Sequence, residues 1–180
     1  MKGFGENIRS QKIKKPQNKQ NINIEQLILK AFELQAKGKK FEAAKYYAHL
    51  IKQGIKDYRI FANYGIFLNE IGKHKEAEVE LKKAISLNPT YANAHYNLGV
   101  LLMGQGNLEE AELEFKKAIK LKSDFAIAHY NLGLILKDFG RLEEAESCNK
   151  KILAVNPQFT DAYLSLSTMH PNDKNQKWQQ

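Results

Sequence analysis

The sequence predicts an all-α fold, a solenoid of antiparallel helix pairs with about four and a half repeats. Three observations predict it: small residues recur at a fixed interval, apolar residues between them have helical spacing, and glycine or proline stands where a helix should end. The interval is 34 residues in each series. The series are Gly38, Gly72, Gly106 and Gly140; Ala43, Ala77, Ala111 and Ala145; and Gly65, Gly99 and Gly133.

Each unit is predicted to form two helices, as residues 92–125 show. The first helix carries an apolar stripe, and Gly106 should end it. Asn107 and Glu110, three residues apart, resemble a capping box that opens the second helix. Proline follows the second helix at Pro89 and Pro157, where a helix must stop. The stripes are Ala94, Leu98, Leu101 and Leu102 in the first helix and Ala111, Phe115, Ala118 and Ile119 in the second.

Four complete units and one partial unit are predicted in chain order. They are 24–57, 58–91, 92–125 and 126–159, followed by the first helix of a fifth unit at 160–170. Asn149 departs from the pattern, because the other units have Tyr47, Leu81 and Phe115 at that place. We expect either looser packing there or partial exposure of Asn149 near the end of the array.

Residues outside 23–170 are predicted to be tails. Residues 1–22 carry a net charge of +5 and few apolar side chains, so we expect them to be disordered. Residues 171–180 are a polar tail with a net charge of +1. The whole chain carries +8, so only +2 remains for residues 23–170, and the basic charge does not indicate a nucleic-acid-binding domain. Nucleic acid is therefore not expected as a partner, and RNA binding through residues 1–22 is kept as a third alternative.

Several classes of site are not expected from the sequence. No apolar run approaches a membrane span and the N-terminus lacks an apolar signal region, so we expect no membrane insertion and a cytoplasmic location. Cys148 is the only cysteine and cannot form an internal disulfide. His95 and His129 recur one period apart, but no further ligand completes a metal site. We expect no metal, no cofactor and no enzymatic activity.

The repeated unit resembles the tetratricopeptide repeat. The resemblance rests on the stretches ANAHYNLGVLLMGQGNLEEAELEFKKAIKLKSD and AIAHYNLGLILKDFGRLEEAESCNKKILAVNPQ and covers about 147 of 180 residues. The unit at 24–57 is degenerate, with Lys30 and Ile55 where the family prefers leucine and proline. The resemblance implies a right-handed superhelix and a scaffold that binds a protein or peptide on its concave side.

One asparagine per unit is predicted to lie on that concave side. Asn63, Asn97 and Asn131 each stand two residues before a glycine of the third series. A carboxamide offers a donor and an acceptor, so such a ladder can pair with the main chain of an extended peptide. Similar ladders occur in the repeat domain of O-linked N-acetylglucosamine transferases, where they hold substrate peptides. The alternative is that each asparagine bonds to the adjacent repeat and supports the superhelix, and both roles are compatible.

The predicted peptide-binding groove contains further side chains from the first helices. Repeat domains of the family that clamp the carboxylate of chaperone tails use lysine and arginine at several inner positions. Here those positions hold Ile28, Ala62, Tyr96 and Tyr130, so this ligand is not expected. The candidate site residues are Asn63, Asn97, Asn131, Tyr96, Tyr130, Arg59, Asn93 and Lys137.

An alternative function belongs to another class. Similar bacterial arrays often precede a glycosyl-, sulfo- or methyltransferase domain, so the chain can also be interpreted as the recognition arm of such an enzyme. The predicted array ends without a clearly polar capping helix, and self-association through this C-terminal end is a second expectation.

Overall fold

The structure, a computed structural model, describes residues 18–169. Within this range it consists of nine α-helices joined by short turns, with no strand. Helix α1 begins at Asn18, so residues 18–22 of the predicted tail lie on this helix, whereas residues 1–17 and the predicted tail at 171–180 lie outside the described residues. The helices are α1 Asn18–Ala36, α2 Lys40–Lys52, α3 Tyr58–Glu70, α4 His74–Leu87, α5 Ala92–Gly104, α6 Leu108–Leu121, α7 Ala126–Asp138, α8 Leu142–Val155 and α9 Thr160–Met169.

The helices pack in sequence as a two-layer solenoid. Each first helix (α1, α3, α5 and α7) packs on the second helix that follows it, and each second helix also packs on the first helix of the next unit. Helices joined by such short turns and packed on each other must run antiparallel. Helices α3 and α5 also contact directly, so the first helices form one layer. The expected all-α solenoid is confirmed.

The turn between the two helices of a unit explains the longest glycine series. Gly38, Gly72, Gly106 and Gly140 have φ angles of +74°, +78°, +82° and +73°. Residues with a side chain rarely adopt this left-handed conformation, so glycine ends the helix here. After α5, Gly106 N donates to Met103 O at 3.1 Å and Asn107 N donates to Leu102 O at 2.9 Å, which is the Schellman arrangement.

The predicted capping box at α6 is wrong. The helix does begin at Leu108, but the side chain of Asn107 makes no capping hydrogen bond. Its amide instead lies 3.5 Å from Gln105 Oε1, and its backbone continues the Schellman turn. The turn therefore fixes the start of the helix without a side-chain cap.

The third glycine series marks close contact between the helices of a pair. A Cβ atom at Gly65 would lie 2.8 Å from Leu81 Cγ, and one at Gly99 would lie 2.8 Å from Phe115 Cδ1. At Gly133 the nearest atom would be 3.6 Å away, because the large residue of the other units is replaced by Asn149. Packing between the helices of this pair is therefore looser at Gly133 than at Gly65 and Gly99, in agreement with the expectation of looser packing in this unit.

Asn149 itself is not exposed. Only 1% of its surface is accessible, and its Nδ2 donates to Ser165 Oγ on α9 at 3.0 Å. The expectation of partial exposure is thus wrong, because α9 covers this side chain. Its Oδ1 atom is buried and has no hydrogen-bond partner among the described residues.

Apolar side chains form three buried clusters, and the partly buried Ile51, Tyr64 and Ile85 each pack against two of them. Their largest buried members include Tyr47, Phe115, Leu81 and Ile135. None of the helices in the described range combines the length and the hydrophobicity that crossing a bilayer requires. The buried apolar side chains lie between the two layers and hold the first helices against the second helices.

Candidate functional site

The first helices present a row of half-buried apolar side chains. Ile66, Val100 and Leu134 occupy the same place in three successive units, on α3, α5 and α7. Each stands three residues after one of the predicted asparagines, so it lies about one helical turn away on the same side of the helix. We call this surface the groove; it comprises the predicted site residues Asn63, Tyr96, Asn97, Tyr130 and Asn131 together with Ile66, Val100 and Leu134.

Asn63 is held by the preceding unit. Its Oδ1 accepts a hydrogen bond from Gln35 Nε2 at 3.3 Å, and Gln35 in turn accepts one from the Tyr47 hydroxyl. Burial raises the pKa of Tyr47 to about 12, and a hydrogen bond with Asn63 partly offsets this effect. The cavity that Gln35, Asn63 and Ile66 help to line measures about 30 Å³, which is room for about one water molecule.

Asn131 is also engaged within the protein. It is 8% exposed, and its Nδ2 donates to the Tyr96 hydroxyl at 3.4 Å. Burial raises the pKa of Tyr96, against the effect of this hydrogen bond. The Tyr96 ring packs 5.0 Å from the Phe125 ring and 5.8 Å from the Phe115 ring, centroid to centroid. Tyr96 and Asn131 thus join α5 to α7.

Asn97 differs from the other two asparagines. Its side chain is half-buried and forms no hydrogen bond with any described residue. The reason lies in the neighbouring unit. The places of Gln35 and Tyr47 are taken by Asn69 and Leu81, and Asn69 Oδ1 lies 2.9 Å from His74 Nδ1.

Asn97 also lacks a counterpart of Tyr96, the tyrosine that bonds to Asn131, at the matching place. That place, one repeat before Tyr96, is taken by Ala62, which carries no polar group. The donor and the acceptor of the Asn97 carboxamide are therefore both without a partner among the described residues.

Arg59, Asn93 and Lys137, together with Tyr130 of the groove, have partners of their own. Arg59 pairs with Asp57, with Nε 3.0 Å from Oδ1, and its guanidinium lies 5.3 Å from the Phe32 ring centre. Burial acts to raise the pKa of Asp57, but hydrogen bonds from Arg59 hold it below its usual value. Other contacts are Asn93 Nδ2 to the Tyr91 hydroxyl at 3.5 Å, Lys137 Nζ to Thr168 Oγ1 at 2.9 Å, and the Tyr130 ring to the Phe159 ring at 5.6 Å.

Gln35 and the contact made by His95 were not predicted from the sequence. Gln35 lies 34 residues before Asn69, so its place beside the asparagine row was visible in the period. His95 was considered only as a metal ligand, whereas its Nδ1 lies 2.7 Å from Glu114 Oε2 in a buried pair. Within the described range, no three histidine, cysteine or acidic side chains come together as a metal site.

Sequence models of the tetratricopeptide repeat match this chain. One, described as TPR repeat, matches residues 68–106 and 101–140, and another, described as tetratricopeptide repeat, matches residues 126–159. Together they span residues 68–159, more than half of the chain. Among curated proteins, none matches the sequence significantly.

Solved structures with a similar fold include three named proteins. MamA is 26% identical, with a TM-score of 0.70 over 78% of this chain and 82% of that chain. PilF of Pseudomonas aeruginosa is 19% identical, with a TM-score of 0.73 over 82% and 68%. YrrB, described as a TPR protein with an unusual peptide-binding site, is 20% identical, with a TM-score of 0.68 over 84% and 78%.

Proposed function

Because the chain belongs to the tetratricopeptide-repeat family, whose arrays are protein-interaction scaffolds, we propose that it binds a peptide segment of another protein in the groove. The observation that carries this proposal is the half-buried apolar row of Ile66, Val100 and Leu134 beside the asparagines. Apolar side chains that keep accessible surface on the first helices of three successive units give a partner apolar surface to cover. The asparagines beside the row add polar groups that can orient a main chain.

The fold comparison supports the same kind of ligand. YrrB has the fold of this chain and is described as having a peptide-binding site. At 20% identity the comparison does not transfer the position of that site. It supports the proposal only in that a repeat array of this size and shape can hold a peptide.

The alternative function, a recognition arm of a transferase, receives no support from the described residues or the comparisons. Self-association through the C-terminal end, a cytoplasmic location and the absence of a nucleic-acid partner all stay predictions. The groove proposal is therefore the one to test first.

A pair of matched variants tests the groove. Short random peptides are selected by display on the wild-type protein, and a selected peptide is then titrated by fluorescence anisotropy. Val100→Asp places a charge in the apolar row and should weaken binding by about tenfold or more. Val79→Asp makes the same change at a residue of α4 that is 51% exposed, and it should leave binding unchanged.

Circular dichroism melting is recorded for both variants, since Val100 is half-buried and the charge can cost stability. If folded Val100→Asp still binds the peptide and Val79→Asp does not, the ligand binds at the second helices, which would contradict binding in the groove.

A further inference from the structure

We propose that the ligand of the groove is an uncharged segment with apolar side chains about three residues apart, whose main chain is held by Asn97 rather than by all three asparagines. This inference rests on the proposed function and specifies its ligand. It follows from three features of the groove: the unequal asparagines, the balance of charge, and the spacing of the apolar row.

The asparagines are unequal because their neighbours differ. Asn63 accepts from Gln35, and Asn131 donates to Tyr96. A ligand that used either one would have to break or share an internal hydrogen bond, so the net gain would be small. Asn97 has no such bond to lose, and its half-buried carboxamide can accept from an N–H and donate to a C=O of one extended residue.

None of the side chains that define the groove is charged. Of the predicted site residues only Arg59 and Lys137 carry charge. Arg59 is paired with Asp57. Lys137 donates to the neutral Thr168 hydroxyl and keeps its charge, but it lies at the end of α7, beyond Leu134. A charged side chain placed over the centre of the groove would lose hydration without gaining a partner, which costs free energy.

The apolar row sets the spacing of the ligand side chains. Ile66, Val100 and Leu134 lie on neighbouring first helices. Packed helices are separated by roughly 8–10 Å. An extended peptide advances roughly 3.3 Å per residue, so about three ligand residues pass from one apolar side chain to the next. Apolar residues at every third position would therefore meet the row in succession.

The test uses the display selection of short random peptides already described. The composition of the enriched pool is compared with the unselected pool, and one enriched peptide is titrated against three single variants. We expect enriched peptides with no net charge, apolar residues three positions apart, and an affinity that changes little between low and high salt.

The three variants separate a ligand contact from a structural one. Asn97→Ala should weaken binding about tenfold, because two hydrogen bonds are lost, and should leave the melting temperature unchanged. Asn63→Ala and Asn131→Ala should lower the melting temperature and change the affinity by less than Asn97→Ala does. They are matched controls at the same place in the neighbouring units.

The outcomes distinguish failure of this inference from failure of the proposed peptide binding in the groove. The inference is overturned if the enriched peptides are highly charged, or if all three asparagine variants lose the same affinity. If Val100→Asp still weakens binding in that case, the proposed groove remains supported. Peptides that bind without sensitivity to Val100→Asp would overturn the proposed groove and the inference with it.

Discussion

The ring of His95 and the carboxylate of Glu114 form a buried pair that ties α5 to α6, with Nδ1 2.7 Å from Oε2. The other ring nitrogen, Nε2, lies 3.1 Å from the carbonyl oxygen of Pro89 in the preceding linker. Lys117 adds a second contact, since its Nζ lies 2.7 Å from Glu114 Oε1. One histidine thus connects two helices and the turn before them, within the unit that also carries Asn97.

Removing the carboxylate should destabilise this unit. We expect Glu114→Ala to lower the free energy of unfolding by about 1–3 kcal/mol, because a hydrogen-bonded charged group is lost and the buried His95 nitrogen is left unpaired. The control is Glu78→Ala, which removes the i,i+4 pair with Lys82 on the outer face and should cost only about 0.3–0.5 kcal/mol. Urea unfolding of both variants measures the difference, and equal losses would show that the His95 pair contributes nothing special.

The next unit has the same histidine without its partner. His129 Nε2 lies 3.0 Å from Ser123 O, but Nδ1 is buried without a hydrogen-bond partner among the described residues, and Cys148 stands at the place of Glu114. Cys148→Glu should rebuild the pair and add a contact with Lys151, which matches Lys117. We expect a gain in unfolding free energy of about 1 kcal/mol, measured by urea unfolding. His129→Ala in the same background should erase the gain, and a variant less stable than wild type would contradict the expectation.

Asn149 is a second site where stability can be increased. Within residues 18–169 its buried Oδ1 has no hydrogen-bond partner, and the same place holds Leu81 and Phe115 in other units. Asn149→Leu combined with Ser165→Ala removes both members of the hydrogen bond, so no polar atom is left unpaired, and should raise the unfolding free energy by about 1 kcal/mol. Thermal unfolding followed by circular dichroism measures this. Ser165→Ala alone serves as the control and should be destabilising, since it leaves Asn149 without any partner.

Alkaline pH should weaken the fold through Tyr47. Its pKa is about 12 in the folded protein, above the ordinary value of 10.0, mainly because burial disfavours the phenolate. Between these values the unfolded chain releases the Tyr47 proton while the folded chain keeps it, so the free energy of unfolding falls as pH rises. Tyr47→Phe removes this contribution. In urea unfolding at increasing pH, the curve of the variant should fall less steeply than that of the wild type, and parallel curves would contradict the assignment.

Much of the fold is predictable because the repeat imposes it. Gly106 must adopt a positive φ and Gly99 must admit Phe115, so both leave a clear mark at the 34-residue period. The capping box at Asn107 was predicted wrongly, because a local motif in the sequence does not reveal that the Schellman turn already positions the helix. Local patterns therefore predicted the helices better than they predicted the contacts at their ends.

The candidate site was harder to predict, because it depends on which residues meet across units. The three asparagines occupy the same place in their units, yet Gln35 engages Asn63 and Tyr96 engages Asn131. The cause can be found in the sequence only after the register between units is known, when Ala62 is recognised as the counterpart of Tyr96. From the repeat pattern, a ligand-binding and a structural role were both expected for the whole row; in the structure, the hydrogen-bond contacts differ from one asparagine to the next.

The most direct test of the groove is a map of amide chemical shifts in the wild-type protein titrated with a display-selected peptide. We predict that the largest shifts fall on α3, α5 and α7, with the side-chain amide of Asn97 moving more than those of Asn63 and Asn131. Shifts confined to the second helices α2, α4 and α6 would contradict peptide binding in the groove.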